Sequence, residues 1–430
     1  MEKQNVHLSG QANTLIFKVI TAIIVFFYLI NCCTPLRLHV DMLRYFAIKD
    51  CIELGCPPDS DAAKDYMPLG YTALLLALSK LGMLKSYTIV LLNCLYLFGG
   101  IWLVRKIFSS AIHPFFFLTL VLLNWTIIKF VTHPLSEMQY FFFSTASVYL
   151  FYRYSQNRQV LFLLSAFALG ALAFLTRSVG IALFAALISG LLWQYRKELM
   201  VLVRKHKILV VVVVLALIGV VAFSKQLGLD HYTGVFSKAT KGDGVTFPTI
   251  LKWHFTEWAE FCLNITIVKV EGYFPFSSGR PFFLVAGILF FFGFVYLLFI
   301  RKNNIPFIVK AYLLFYSLLM FNWPFYDPRF WVPVLPFVAA VVAESVRSAR
   351  KAGKRVRAPL IVFLALYFTL GIASIGYITY TSLNRRAFAR TQANGVYKNE
   401  YETFFYGRPL TDSTGHADPN IVDILKRYDR

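Results

Sequence analysis

The chain has 430 residues; 58% are hydrophobic, only 15% are charged, and the formal net charge is +21. Soluble domains carry about a quarter charged residues, so a soluble globular protein is excluded. No RNA-binding signature accompanies the excess of Lys and Arg, which is read as cytoplasmic-loop charge on a membrane protein, with no nucleic-acid partner. The apolar runs reach the ~20 residues that cross a bilayer core and lack the period-2 alternation of barrel strands. The expected fold is an all-α polytopic membrane protein.

In chain order, the first apolar run, Ile16 to Ile30, leads into Asn31, Cys32 and Cys33 with no small-x-small cleavage site, so it is read as a retained anchor. A long polar interruption follows, Asn31 to Pro68. A helix over His39 to Lys49 would set Asp41, Arg44, Tyr45 and Ile48 on one face, at i, i+3, i+4 and i+7. Asp41 then either caps that helix and pairs with Arg44 or carries chemistry. Cys51 and Cys56 share this loop, as an exported disulfide or as two thiols. The six cysteines show no four-ligand zinc spacing.

Spanning segments are read at 15–33, 87–104, 112–131, 138–153, 159–175, 178–194, 207–224, 282–300, 305–322, 331–345 and 358–380. One more apolar run, Leu69 to Leu84, is short and holds Gly70, Lys80 and Gly82. If it does not span, the basic clusters Arg105-Lys106, Arg153 to Arg158, Arg196 to Lys207, Arg301 to Lys310 and Arg347 to Arg357 all fall inside. The inner acids are then Glu2, Glu198 and Glu344 alone. The positive-inside rule therefore selects eleven spans plus one surface or re-entrant helix. The expected organisation is a transmembrane domain over 1–380, with outer loops at 31–86 and 225–281, and a polar C-terminal tail over 381–430 on the outer face. A short helix near Pro419-Asn420 is expected in the tail.

This parity puts the unusual polar motifs on one face. Glu137 follows His133-Pro-Leu-Ser136 and opens a helix that Ser136 can cap. It is either a capping group or a second carboxylate facing Asp41. His133 is a phosphate ligand or a plain interfacial residue. Arg177 sits between two apolar runs: near the outer boundary it would snorkel at little cost, whereas at hydrocarbon depth an Arg costs ~2.5 kcal/mol or more and, pointing inward, needs an anionic partner such as a lipid phosphate held bidentately. Tyr326-Asp327-Pro328-Arg329 precedes a span, and Asp327 and Arg329 either pair with each other or serve a site. Leu251 to Leu263 shows an apolar stripe with Lys252, Glu257 and Glu260 off it, read as an amphipathic helix lying in the interface. No Walker A, Rossmann glycine pattern or HExxH is present.

These pieces resemble the GT-C glycosyltransferases, polytopic enzymes that use polyprenyl-phosphate sugars, among them protein mannosyltransferases and the aminoarabinose transferases of lipid A. The likeness rests on Asp41 with Tyr45, then Tyr66 to Tyr71, Pro134 to Glu137, Leu175 to Gly180, and Asp327 to Pro336 with its prolines. It covers most of residues 15 to 345. It implies transfer of a sugar, with inversion, from a polyprenyl-phosphate donor to a glycan, lipid or protein acceptor on the periplasmic or outer face of a bacterial inner membrane. Asp41 would be the base and Glu137 the second acid. Arg177, Arg329 and His133 would bind the donor phosphate, and Arg44, Tyr45, Tyr66, Tyr326 and Asp327 would line the cavity. Many relatives carry two adjacent acids in the first loop, whereas Asp41 stands between Val40 and Met42. The likeness therefore leaves a divalent ion open and fixes no metal ligand. A transporter or flippase for a lipid-linked sugar is the alternative reading.

Overall fold

The computed structural model describes residues 2–109, 111–198, 234, 237–242, 244–273, 279–349, 354–410 and 415–429. Among them no strand occurs, and the described part of the chain is all-α. Four segments are long and apolar enough to cross a membrane: Leu15–Cys33, Ser86–Ile107, Gly279–Ile300 and Ala358–Leu383. They mark a membrane protein by length and composition. The expected span at 207–224 lies outside the described residues, as do parts of the 225–281 loop and of the Arg196–Lys207 and Arg347–Arg357 clusters.

The first half comprises α1 (Glu2–Ile30), α2 (Val40–Leu54), α3 (Asp61–Lys64), α4 (Leu69–Lys80), α5 (Ser86–Ile107), α6 (Pro114–Leu122), α7 (Trp125–Phe130), α8 (Glu137–Asn157), α9 (Val160–Thr176) and α10 (Gly180–Gln194). The second half adds α11 (Phe247–Leu263), α12 (Ile267–Tyr273), α13 (Gly279–Val295), α14 (Phe307–Met320), α15 (Leu335–Ala349) and α16 (Lys354–Leu383). The tail holds α17 (Arg385–Thr391), α18 (Lys398–Tyr406) and α19 (Pro419–Tyr428), the last where a short helix is expected.

Burial separates centre from rim. The apolar window of α5 is 56% buried, while those of Leu15–Cys33 and Ala358–Leu383 are each 17% buried. Helix α5 therefore runs through the core, packed on α8, and the other two turn most of their apolar surface outward. Helix α8 packs on α9, α10 on α14, and α11 on α13. The α11–α13 approach needs Gly287, where a Cβ would lie 1.6 Å from the Phe255 carbonyl oxygen.

Two sequence expectations change. The run 112–131 is not one helix: it breaks at Leu123–Asn124 into α6 and α7. The Asn124 side chain accepts from Thr126 N–H at 3.1 Å and donates to the Phe261 carbonyl and the Tyr367 hydroxyl at 3.0 Å each. The broken backbone is thus satisfied inside protein, the condition for such a break at membrane depth. Helix α11 is not a simple amphipathic helix lying on the surface either. His254, Glu257, Trp258 and Glu260 are all buried in it while Lys252 stays exposed, so protein covers part of its polar side as well as its apolar stripe.

The tail is structured and grips the segment that leads into α2. Leu36 N–H donates to Asp429 Oδ1 at 2.6 Å. The Tyr401 hydroxyl accepts from Leu38 N–H and donates to the Leu36 carbonyl, both at 2.7 Å. Gln392 donates to the Leu38 carbonyl at 3.1 Å, and Arg37 donates to Ser382 Oγ at 2.8 Å. An extended buried segment has no strand neighbour here, so side chains of the tail supply the partners its backbone requires.

Candidate active site

A cavity of about 380 Å³ opens where α2, the start of α8, the α9–α10 turn and the loop before α15 meet. Asp41, Arg44, Tyr45 and Tyr66 line it from the first loop, Glu137 and Arg177 from the middle of the chain, and Tyr326, Asp327 and Arg329 from the far loop. Every sequence candidate except His133 is therefore brought together. His133 is buried outside this lining: its Nδ1 lies 2.9 Å from the Lys129 carbonyl and its Nε2 3.4 Å from Gln392 Nε2. The turn through Pro134 and Leu135 sends His133 and Glu137 to different sides.

Local sequence sets each side chain. His39 is the N-cap of α2, its Nδ1 accepting from Asp41 N–H at 3.1 Å. Its Nδ1 is therefore unprotonated; burial, then the charge of Arg329, hold His39 below its usual pKa. This leaves Asp41 in the first helical turn with its carboxylate free to face the cavity. Ser136 does not cap α8 through its side chain. Its hydroxyl instead lies 3.0 Å from the Tyr45 hydroxyl and accepts from Arg177 at 3.5 Å. Short helix α4 reaches this region because Gly70 lets its backbone touch the end of α9; a Cβ there would lie 2.7 Å from the Leu175 carbonyl.

Charge is balanced residue by residue. Arg177 pairs with Glu137, whose side chain is only 1% exposed. Arg329 pairs with Asp41, lies 3.8 Å from Glu137 and 2.7 Å from Asp327. One guanidinium thus stands between three carboxylates drawn from distant parts of the chain. Arg44 lies 3.6 Å from Asp41 but is bound bidentately to Asp65 at 2.8 Å per bond, so it is committed elsewhere. Its plane also lies over the Tyr66 ring at 4.7 Å. Phe330 is flanked by Arg329 at 5.0 Å and Arg177 at 5.7 Å.

The two key carboxylates differ. Asp41 is 22% exposed; burial pushes its carboxyl up, but Arg329, with His39 and Arg44 in support, outweighs this and holds it below the usual range. Glu137 is almost wholly buried, and its second oxygen, Oε2, has no hydrogen-bond partner among the described residues. A bound hydroxyl or amide could satisfy it. Among the described residues no group of three or more His, Cys, Asp or Glu side chains could hold a metal ion. Cys51 and Cys56 are disulfide-bonded, closing the loop after α2.

Sequence reasoning missed the aromatic wall of Trp323, Phe325 and Phe330, which lines the same cavity. Its signal was the density of rings around Asp327. These features define an all-α membrane protein with a half-open cavity lined by paired charges and aromatics. No protein family, curated protein or solved structure matches the chain.

Proposed function

We propose that this cavity is the active site of a membrane glycosyltransferase that moves a sugar from a polyprenyl-phosphate donor to an acceptor hydroxyl, in a GT-C-like frame of eleven spans. The observation that carries the reading is Arg329 standing between Asp41 and Glu137 at the wall of an open cavity. Guanidinium binds phosphate bidentately, and a phosphate leaving group needs charge stabilisation more than a proton. Arg329 and Arg177 would take the donor phosphate. Asp41, the more exposed carboxylate, would accept the acceptor's proton. The acceptor oxygen bonds to the anomeric carbon as the carbon–phosphate oxygen bond breaks, and that electron pair leaves with the polyprenyl phosphate. In-line attack inverts the centre.

At rest Asp41 is a weak base because Arg329 holds it. A donor phosphate competes for the same guanidinium, so donor binding releases the carboxylate for its task. Helix α4, with 12 residues, is about 18 Å long, short of the ~30 Å core, which supports its lying at the surface. The Cys51–Cys56 bond supports an exported side for this loop.

The test is reconstitution with a polyprenyl-phosphate sugar and an acceptor, following release of polyprenyl phosphate. Turnover by wild type and its loss in Asp41→Asn is the expected result. Equal turnover in the two would remove Asp41 as base. Sugar crossing the bilayer without a new glycosidic bond would favour a flippase.

A further inference from the structure

We infer that the buried pair His254–Glu257 is the positioning element of the cavity, a strut that fixes both ends of the loop carrying Asp327 and Arg329. The inference deepens the glycosyltransferase reading and, in its functional part, rests on it.

Three anchors converge on this pair. His254 Nε2 lies 2.8 Å from the Trp323 carbonyl oxygen, at the start of the loop. Asp327 N–H donates to Glu257 Oε1 at 2.6 Å, in its middle. Trp331 Nε1–H donates to Glu257 Oε2 at 2.7 Å, at its end. Between these anchors lie Phe325, Tyr326, Asp327, Arg329 and Phe330, which line the cavity. Both His254 and Glu257 are 0% exposed, so neither faces substrate. Their role is exerted through the loop.

The protons can be counted from geometry. A carbonyl only accepts, so His254 Nε2 carries hydrogen. His254 Nδ1 stands 2.7 Å from Glu257 Oε2, a distance that two bare acceptors would not hold. One proton therefore lies between them. The pair is net neutral whichever partner formally owns it, which is how a carboxylate tolerates full burial. Glu257 can then receive two loop donors besides its histidine, a load that Gln cannot carry: an amide nitrogen facing Trp331 Nε1–H would set donor against donor. The rings of Phe321 and Trp331 pack on His254, and Trp258 packs on Trp331, so the pair is enclosed by aromatic side chains.

The consequence for the site is direct. Arg329 makes its contacts with Asp41 and Glu137 only while the loop holds its present register. Releasing Asp327 N–H and Trp331 frees Arg329 to follow Asp327, its nearest partner within the loop.

Hydrogen exchange read by peptide mass spectrometry, on the full chain in lipid nanodiscs, tests this. Glu257→Gln is expected to speed exchange in the peptide spanning 323–331 by tenfold or more, with peptides of α8 and α10 unchanged. Trp331→Phe keeps the ring packing and removes one anchor, and is expected to give a smaller, equally local rise. No change in that peptide in either variant overturns the strut. A uniform rise across all peptides in both also overturns it, since the pair would then support the fold at large. In parallel, affinity for polyprenyl phosphate is expected to fall about tenfold in Glu257→Gln. Absence of binding to wild type would sink the donor reading while leaving the exchange result to judge the strut.

Discussion

Helix α8 joins two cavities. At its start Glu137 faces the 380 Å³ site; near its end Tyr152, Ser155 and Gln156 line a second hollow of about 330 Å³, with Asn304 and Glu344. The volumes are nearly equal and the chemistry is not. The first brings three arginines and three carboxylates together from segments hundreds of residues apart. Among the described residues the second is lined by one charged side chain, Glu344. Concavity alone therefore does not mark a site; desolvated charges that must be held in place do.

The largest expected effect breaks this contrast at its centre. Asp41→Asn or Arg329→Gln should lower turnover by about 10²–10⁴-fold, the range for a lost base or a lost charge stabiliser. Glu344→Gln in the other cavity should change it less than twofold under the same assay. Next comes stability. Arg177→Gln leaves Glu137 buried and short of its closest cation, which should destabilise the fold by about 3–5 kcal/mol in thermal unfolding. The double variant with Glu137→Gln should recover most of that loss. A smaller effect is expected where the tail grips the first loop. Tyr401→Phe leaves the buried Leu38 N–H without its acceptor and should cost about 1–3 kcal/mol.

The smallest effect is a pH dependence. Because the Asp41 carboxyl is held below its usual value, its pairing with Arg329 contributes fully above the unfolded value of about 3.9. That contribution is lost as pH falls through the lowered folded value. The stability difference between wild type and Asp41→Asn should therefore be flat from about pH 5 upward and shrink only below the ordinary aspartate range.

Much of the cavity is legible in the sequence for one physical reason. Arg177, Glu137 and Arg329 stand beside apolar runs where unpaired charge is expensive, so they announce that partners must exist. What the sequence hides is which charges meet: Arg44 follows Asp41 by one helical turn yet is bound to Asp65, while Arg329 comes from 288 residues away to take its place. His133 misleads because proximity in sequence to Glu137 says nothing of direction across a proline turn. Glu257 and Glu260 are disguised for a related reason. An apolar stripe with acids opposite is the pattern of an interfacial helix; the burial of Glu257 follows from its loop donors Asp327 and Trp331, and that of Glu260 from its bond with Ile267 N–H, none of which the local sequence shows. The break at Asn124 is masked by the hydropathy of its neighbours. In the tail the apolar spacing of Ile421, Val422, Ile424, Leu425 and Tyr428 marks α19 as a helix with a buried face, but nothing in that spacing says that the tail clamps residues 36–38.

In the proposed mechanism a donor phosphate and Asp41 compete for one guanidinium. Equilibrium binding of polyprenyl phosphate to wild type and to Asp41→Asn tests this most directly. Removing the competing carboxylate should tighten binding by about fivefold or more while turnover is lost. Equal or weaker binding in the variant would show that Asp41 and the phosphate do not compete for Arg329.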